Sequence, residues 1–155
     1  MYIGISRSFL LMTDSFRLKR SDIFLGGTLK FGESGDSSFV RIGQKNNSWS
    51  RPVHEVWDAQ NERELTVPLT HHTAKTVAGF VDKLNFYTTI NAQHLFEQKT
   101  PIKGWHIVAY PAGKFLQNYI VKQGYRDGVH GFLHAVFMSF HSFLTRSKLW
   151  LLTHQ

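Results

Sequence analysis

The chain of 155 residues has no cysteine, which excludes a disulfide scaffold and every thiolate metal site. Acid is scarce: 11 Asp and Glu stand against 18 Lys and Arg, a formal charge of +7. That balance asks for an anionic partner, whether nucleic acid, anionic lipid or a phosphorylated substrate. The sequence has no Gly-rich phosphate loop of the P-loop or Rossmann type, no Gly-x-Ser-x-Gly, no His-Glu-x-x-His and no Asp-x-Asp. By its residues alone it shows no place to hold a nucleotide. Near the N-terminus the apolar run is only "FLLM", with Asp14 soon after, which is not a secretory signal. Nothing repeats at a fixed period, and no recognised groove-reading motif for nucleic acid is present.

Aromatic residues are plentiful: 13 Phe and 4 Trp within a hydrophobic fraction of 42% argue against disorder and for a real core. The first third reads as short strands divided by turns. "FRLKRSDIFLGG" alternates and ends in two glycines, "SSFVRIG" is a second candidate, and "ELTVPL" a third stopped by Pro68. "FGESGDSS" and "GQKNNSWSRP" read as loops. From Thr73 the period changes. Val77, Phe80, Val81, Leu84, Tyr87 and Thr88 share one helical face continuing to Ile90 and Leu95, with Thr73 a candidate cap. "AGKFLQNYIVKQG" predicts a short helix with Phe115, Leu116, Tyr119 and Ile120 on its buried side and Gly124 as its stop. Strands come first and helices last, an α+β order of short mixed sheet and helical C-terminal extension, divided near residues 72 and 73.

The last segment, "RDGVHGFLHAVFMSFHSFLTRSKLWLL", holds 18 residues without Asp, Glu, Lys or Arg between Asp127 and Arg146. That reaches the lower length limit for a spanning helix, but three histidines and two serines within it argue against a deep span. On a helical wheel His130, His134, His141, Ser142, Thr145 and Lys148 fall on one side. Phe132, Leu133, Val136, Phe140, Phe143, Leu144, Trp150 and Leu151 fall on the other. Arg146 and Lys148 suit the negative helix end, and Trp150 is an interfacial aromatic. The helix either packs on its own domain or lies half-sunk in a bilayer.

Three short strings carry candidate chemistry. "SRPVHEVWD" sets His54 beside Glu55, near Trp49 and Arg51, and offers a general base with a polar neighbour. "LTHHTAK" places His71 and His72 before a helix, but on an extended segment they point to opposite faces. His130 and His134, four apart, share a face without a third ligand fixed nearby. In "YRDG", Asp127 predicts a helix cap and Arg126 a phosphate contact.

Taken in order, "KRSDIFLGG", "PVHEVW", "VPLTHHT", "FVDKLNFYTTINAQHLFEQ" and the long C-terminal string resemble the C-terminal half of family 2 glycosyltransferases that build lipopolysaccharide cores and other bacterial surface glycans. The resemblance runs from about residue 15 to 152. It implies part of a GT-A fold, an α/β class, and transfer of a sugar from a nucleotide donor to a hydroxyl of a glycolipid or surface glycan. It also implies a divalent metal, Mg or Mn, held through an Asp-x-Asp motif in a donor-binding half whose motif this chain lacks. On that ground the chain alone is expected to be inactive.

Residue by residue, "VHE" puts His54 and Glu55 at the family's acceptor-side pair, with Glu55 the base. Arg20, Phe24, Leu25 and Gly26 match the family's "R.N.FLG", Asp22 standing where Asn is usual. His71 matches the His of its "LLHY", and His72 replaces the Tyr. Arg20, Trp49, Arg51 and His71 are the expected acceptor-binding set. Since acceptors of this family sit in the cytoplasmic leaflet, the resemblance implies a peripheral position on the inner face of the plasma membrane. There Arg126, Phe132, Phe140, Phe143, Arg146, Lys148 and Trp150 are the expected contacts. An anionic membrane surface is then a partner and nucleic acid is not. A basic peripheral-membrane or interaction module without catalysis is the alternative.

Overall fold

The computed structural model describes residues 15–35, 37–43, 49–50, 56–57 and 62–155. The protein is a mixed α/β chain; the described residues include a small antiparallel sheet, a two-stranded ladder and three α-helices. The described residues fall into two compact units, one within Met1–Arg20 and Ser37–Thr70, the other within Ser21–Asp36 and His71–Gln155. The sequence placed the division near residues 72 and 73. The structure instead groups Ser21–Asp36 with the helices, because that segment forms a hairpin whose apolar side chains join the helical core.

In the first unit, the start of β1 (Ser15–Phe24) pairs antiparallel with β3 (Ser37–Gly43), from Ser15↔Gly43 to Arg20↔Ser37. An irregularity between Phe16 and Arg17 shifts the register, and Phe16 is buried there. Arg17 Nε donates to Glu62 Oε2 at 2.8 Å, fixing the start of β6 (Glu62–Ala74). A short ladder joins β4 (Trp49–Ser50) to β5 (Val56–Trp57), Trp49 opposite Trp57.

In the second unit, the end of β1 turns into β2 (Gly27–Leu29), with Asp22↔Leu29 and Phe24↔Gly27 in register. The two-residue turn is Leu25–Gly26. Both have positive φ, 49° and 88°, as a tight hairpin of that length requires. Leu25 is held in this strained region by its N–H, which donates to Ala74 O at 3.0 Å. Phe24, Leu29, Ala74, Phe80 and Leu84 form the core, with Leu25, Leu133 and Phe137 packed against it.

Helix α1 runs Val77–Glu97 and buries Phe80, Leu84, Thr88 and Ala92, a 4-residue stripe. Its cap is Thr76, whose Oγ1 accepts from Gly79 N at 3.2 Å; Thr73, expected as the cap, lies in β6. Helix α2 runs His106–Leu116, earlier than its sequence suggests, with Pro111 inside it and buried. It passes into a π-turn at Gln117–Val121, where Leu116 and Ile120 are exposed rather than buried. Gln123, not Gly124, takes the left-handed residue after that turn, with φ 56°. A 3-10 turn (Gly124–Asp127) then leads into α3 (Gly128–Thr153).

Candidate functional site

Helix α3 is mounted by a mixed side, which buries Gly131, Ala135 and Leu149 and packs Leu133 and Phe137 on the core. His134 and Thr145 are buried, whereas Phe132, Val136, Phe140 and Phe143 are exposed. Directional bonds explain the orientation. Four acceptors on α1 surround Lys148 Nζ and share its three N–H groups: Asn85 O at 2.8 Å, Asn85 Oδ1 at 2.7 Å, Thr88 Oγ1 at 2.9 Å and Thr89 Oγ1 at 2.8 Å. Partial burial lowers the pKa of that ammonium. Asn91 Nδ2 meets His141 Nε2 at 3.4 Å, and Ser139 Oγ donates to Pro111 O of α2 at 2.9 Å. The close approach to the preceding turn is made by Gly131, itself buried.

A second polar cluster lies where β1 and β6 belong to the helical unit. Asp22 is fully buried, and its Oδ1 meets His71 Nδ1 at 2.7 Å and accepts from Thr73 Oγ1 at 3.1 Å. A carboxylate only accepts, so Nδ1 carries the hydrogen and a neutral ring keeps Nε2 as an acceptor. The His71 side chain is 47% exposed, which leaves the ring at the surface while the buried carboxylate fixes its tautomer and direction. The sequence paired neither residue with the other, since they stand 49 positions apart. The Asp at position 22, in place of the Asn usual in the resemblance, is the signal that would have found it.

The expected site residues are thus scattered. His54, Glu55 and Arg51 lie outside the described residues, and Trp49 is described only as backbone of β4. Arg20 sits over the Phe39 ring at 4.7 Å, in the first unit. His71 is anchored as above. Among the expected membrane contacts, Phe140 stacks on Phe143 with both partly open, and Phe132 meets the rings of Phe115 and Tyr119. Trp150 stacks on His154, and Arg126 lies over Phe31 at 4.2 Å. Lys148 is a correction: its ammonium is turned inward onto α1. Asp127 is another, because it makes no cap bond; its Oδ2 accepts from Lys30 N at 2.9 Å and Phe31 N at 2.8 Å, tying the end of β2 to α3. No group of three His, Asp or Glu suited to a metal occurs among the described residues, so the divalent metal implied by the resemblance has no fitting ligand set there.

His134 gives the site a pH dependence. Burial pushes its pKa down, against the opposing pull of Glu33, Asp22 and Asp127 and with that of Lys114. Its Nε2 lies 3.3 Å from Ser34 Oγ. A depressed folded-state value means that the unfolded chain binds the extra proton first. The stability that His134 contributes is therefore complete above its ordinary value of 6.5 and is lost as pH falls through the lower folded value. Thermal melts from pH 8 to 5 will show a declining midpoint below about 6.5, and His134→Gln will flatten that decline. A midpoint equally steep in the variant assigns the dependence elsewhere.

No family model, curated protein or solved structure matches this chain.

Proposed function

We propose that the chain is the acceptor-side, membrane-facing part of a glycosyltransferase that moves a sugar from a nucleotide donor to a hydroxyl of a glycolipid or surface glycan. The observation that carries this reading is the open row of Phe132, Val136, Phe140 and Phe143 on α3. A helix that leaves such an apolar row outward has a surface suited to an apolar phase. From Gln98 to Gln155 the only carboxylate is Asp127, against seven Lys and Arg, so the same region suits an anionic bilayer surface. No helix of the described residues is long and apolar enough to cross a membrane. The chemistry itself rests on the ordered resemblance of the sequence strings.

In this reading Glu55 takes the proton of the attacking hydroxyl, with His54 beside it, as the new bond to the sugar forms and the bond to the diphosphate breaks. The donor, and any metal that steadies the leaving diphosphate, belong to an Asp-x-Asp-bearing half. Asp22 holds His71 so that its outer nitrogen meets an acceptor hydroxyl. The inner face of the plasma membrane is the place where such an acceptor would be met. A non-catalytic basic peripheral-membrane module is the second reading, favoured by the same exposed Phe face.

Flotation on vesicles separates them. Anionic phospholipid vesicles will carry the protein, less so at high salt. A glycolipid with a free sugar hydroxyl will raise binding several-fold, and His71→Ala will remove that increment alone. The double variant Phe140→Ser, Phe143→Ser will lose roughly tenfold of all vesicle binding, since each ring has about two fifths of its surface left to bury, about 0.6–1.2 kcal/mol apiece. Binding indifferent to the glycolipid leaves only the second reading; binding indifferent to both lipid charge and the Phe pair removes both.

A further inference from the structure

A groove of about 640 Å³ lies between α2 and α3, entirely within the helical unit. Its lining includes Trp105, Tyr110, Lys114, Gln117, Ser142 and Arg146, and no Asp or Glu is among its lining residues. Its aromatic lining is Trp105 and Tyr110, both in contact with the His106 ring, which meets Trp105 at 4.2 Å and Tyr110 at 5.1 Å, centroid to centroid. The guanidinium of Arg146 lies 4.2 Å over the Tyr110 ring. These contacts set the aromatic wall and the Arg head before any ligand arrives, so little side-chain entropy remains to be lost on binding. Trp105 and Tyr110 nevertheless stay 62% and 45% exposed, leaving ring surface for a further partner.

We propose that this groove binds an anionic saccharide, a sugar ring that bears a phosphate or carboxylate group. The ring faces offer stacking surface to the apolar face of a sugar. Arg146 supplies a planar fork for an oxyanion, and its shown contact is with an aromatic face, with no ion pair to a carboxylate of the described residues. Lys114 adds a second cation; its Nζ is shared with Glu33, whose carboxyl would be raised by burial but is held below its ordinary value by Lys114 and Lys122. Ser142 and Gln117 bring hydroxyl and amide groups matched to sugar hydroxyls. Gln117 opens the π-turn, a local distortion of the kind often met at binding sites. The choice of a sugar over another flat ring rests on the acceptor-side reading; the charge and the stacking wall do not.

The test is titration of the whole chain, isotope-labelled, with glucose 6-phosphate, glucuronate, glucose and inorganic phosphate, followed by the Trp105 indole and Arg146 guanidinium N–H signals. Either acid sugar is expected to shift them saturably, and glucose and phosphate each to bind at least tenfold more weakly. Which of the two acid sugars binds tighter assigns the oxyanion. Arg146→Gln should weaken binding about tenfold and Arg146→Lys less, with unchanged far-ultraviolet spectra. Equal binding of glucose and the acid sugars, equal binding of free phosphate and glucose 6-phosphate, or no response from either N–H overturns the proposal. Flotation keeps the two readings apart. A silent groove in protein that still prefers glycolipid vesicles removes this site alone, whereas a responsive groove in protein indifferent to glycolipid removes the acceptor-side reading alone.

Discussion

Gly131→Ala is expected to unseat α3. A Cβ at this position would fall on the carbonyl oxygen of Gly124 and come within 2.9 Å of Asp127 Cβ. The first obstacle is backbone, in a turn whose Gly124 is itself packed against Asn118, so it cannot swing aside as a side chain would. Overpacking in a closed site costs about 1–3 kcal/mol and occasionally more, and a clash with main chain belongs at the upper end. The variant should unfold at a urea midpoint lower by a molar or more, given slopes of about 1–3 kcal/mol per molar. Gly113→Ala is the comparison: nothing stands within 4 Å of its added Cβ and its helical backbone accepts alanine, so it should be neutral or stabilising. A Gly131→Ala protein as stable as the parent would show that α3 is not seated against the 3-10 turn as described.

Phe24→Ala should be as damaging by the opposite route, a void. Phe24 has no exposed surface and meets Phe80 at 5.0 Å, His134 at 5.3 Å and Phe137 at 6.1 Å, all edge-on. It is the ring by which the hairpin is held to α1 and α3. Removing a buried phenyl group costs about 3–5 kcal/mol. Phe24→Leu keeps most of the apolar area and forfeits the ring contacts, about 0.5–1.5 kcal/mol for each aromatic pair, so it should fall between parent and alanine in chemical denaturation. Equal midpoints for the leucine and alanine variants would mean that ring geometry adds nothing to burial.

The sequence disclosed elements better than it disclosed their partners. The stripe of Phe80, Leu84 and Thr88 made α1 visible, and alternation closed by two glycines made β1 and its end visible, because both signals are local; the β2 partner was not read. Helix α2 was hidden at its start by Pro111 and Gly104, which read as breakers until tertiary packing buries the proline. Side-chain bonds were the least legible. Thr73 was the expected cap, but the strand runs on to Ala74 and Thr76 caps the helix instead. Asp127 stood ready to cap α3 yet serves two N–H groups of the β2 end, and Asp22 with His71 is a meeting made by a sheet. For α3 the wheel grouped the open row of Phe132, Val136, Phe140 and Phe143, but Leu133 from the same side packs on the core. Which side turns inward was decided by acceptors on α1 that the sequence of α3 cannot announce.

That inward polar seam alters how the helices respond to their surroundings. Contacts among greasy side chains weaken when the solvent becomes oily, since nothing is gained by leaving one hydrocarbon for another. The cluster of Lys148 with Asn85, Thr88 and Thr89 does the reverse: its attraction grows as competing water is withdrawn. Sliding α3 along α1 by a single turn would strand an ammonium and four acceptors from three residues, so the joint is keyed to one position. Detergent or lipid, often a solvent that loosens helices, should here tighten them.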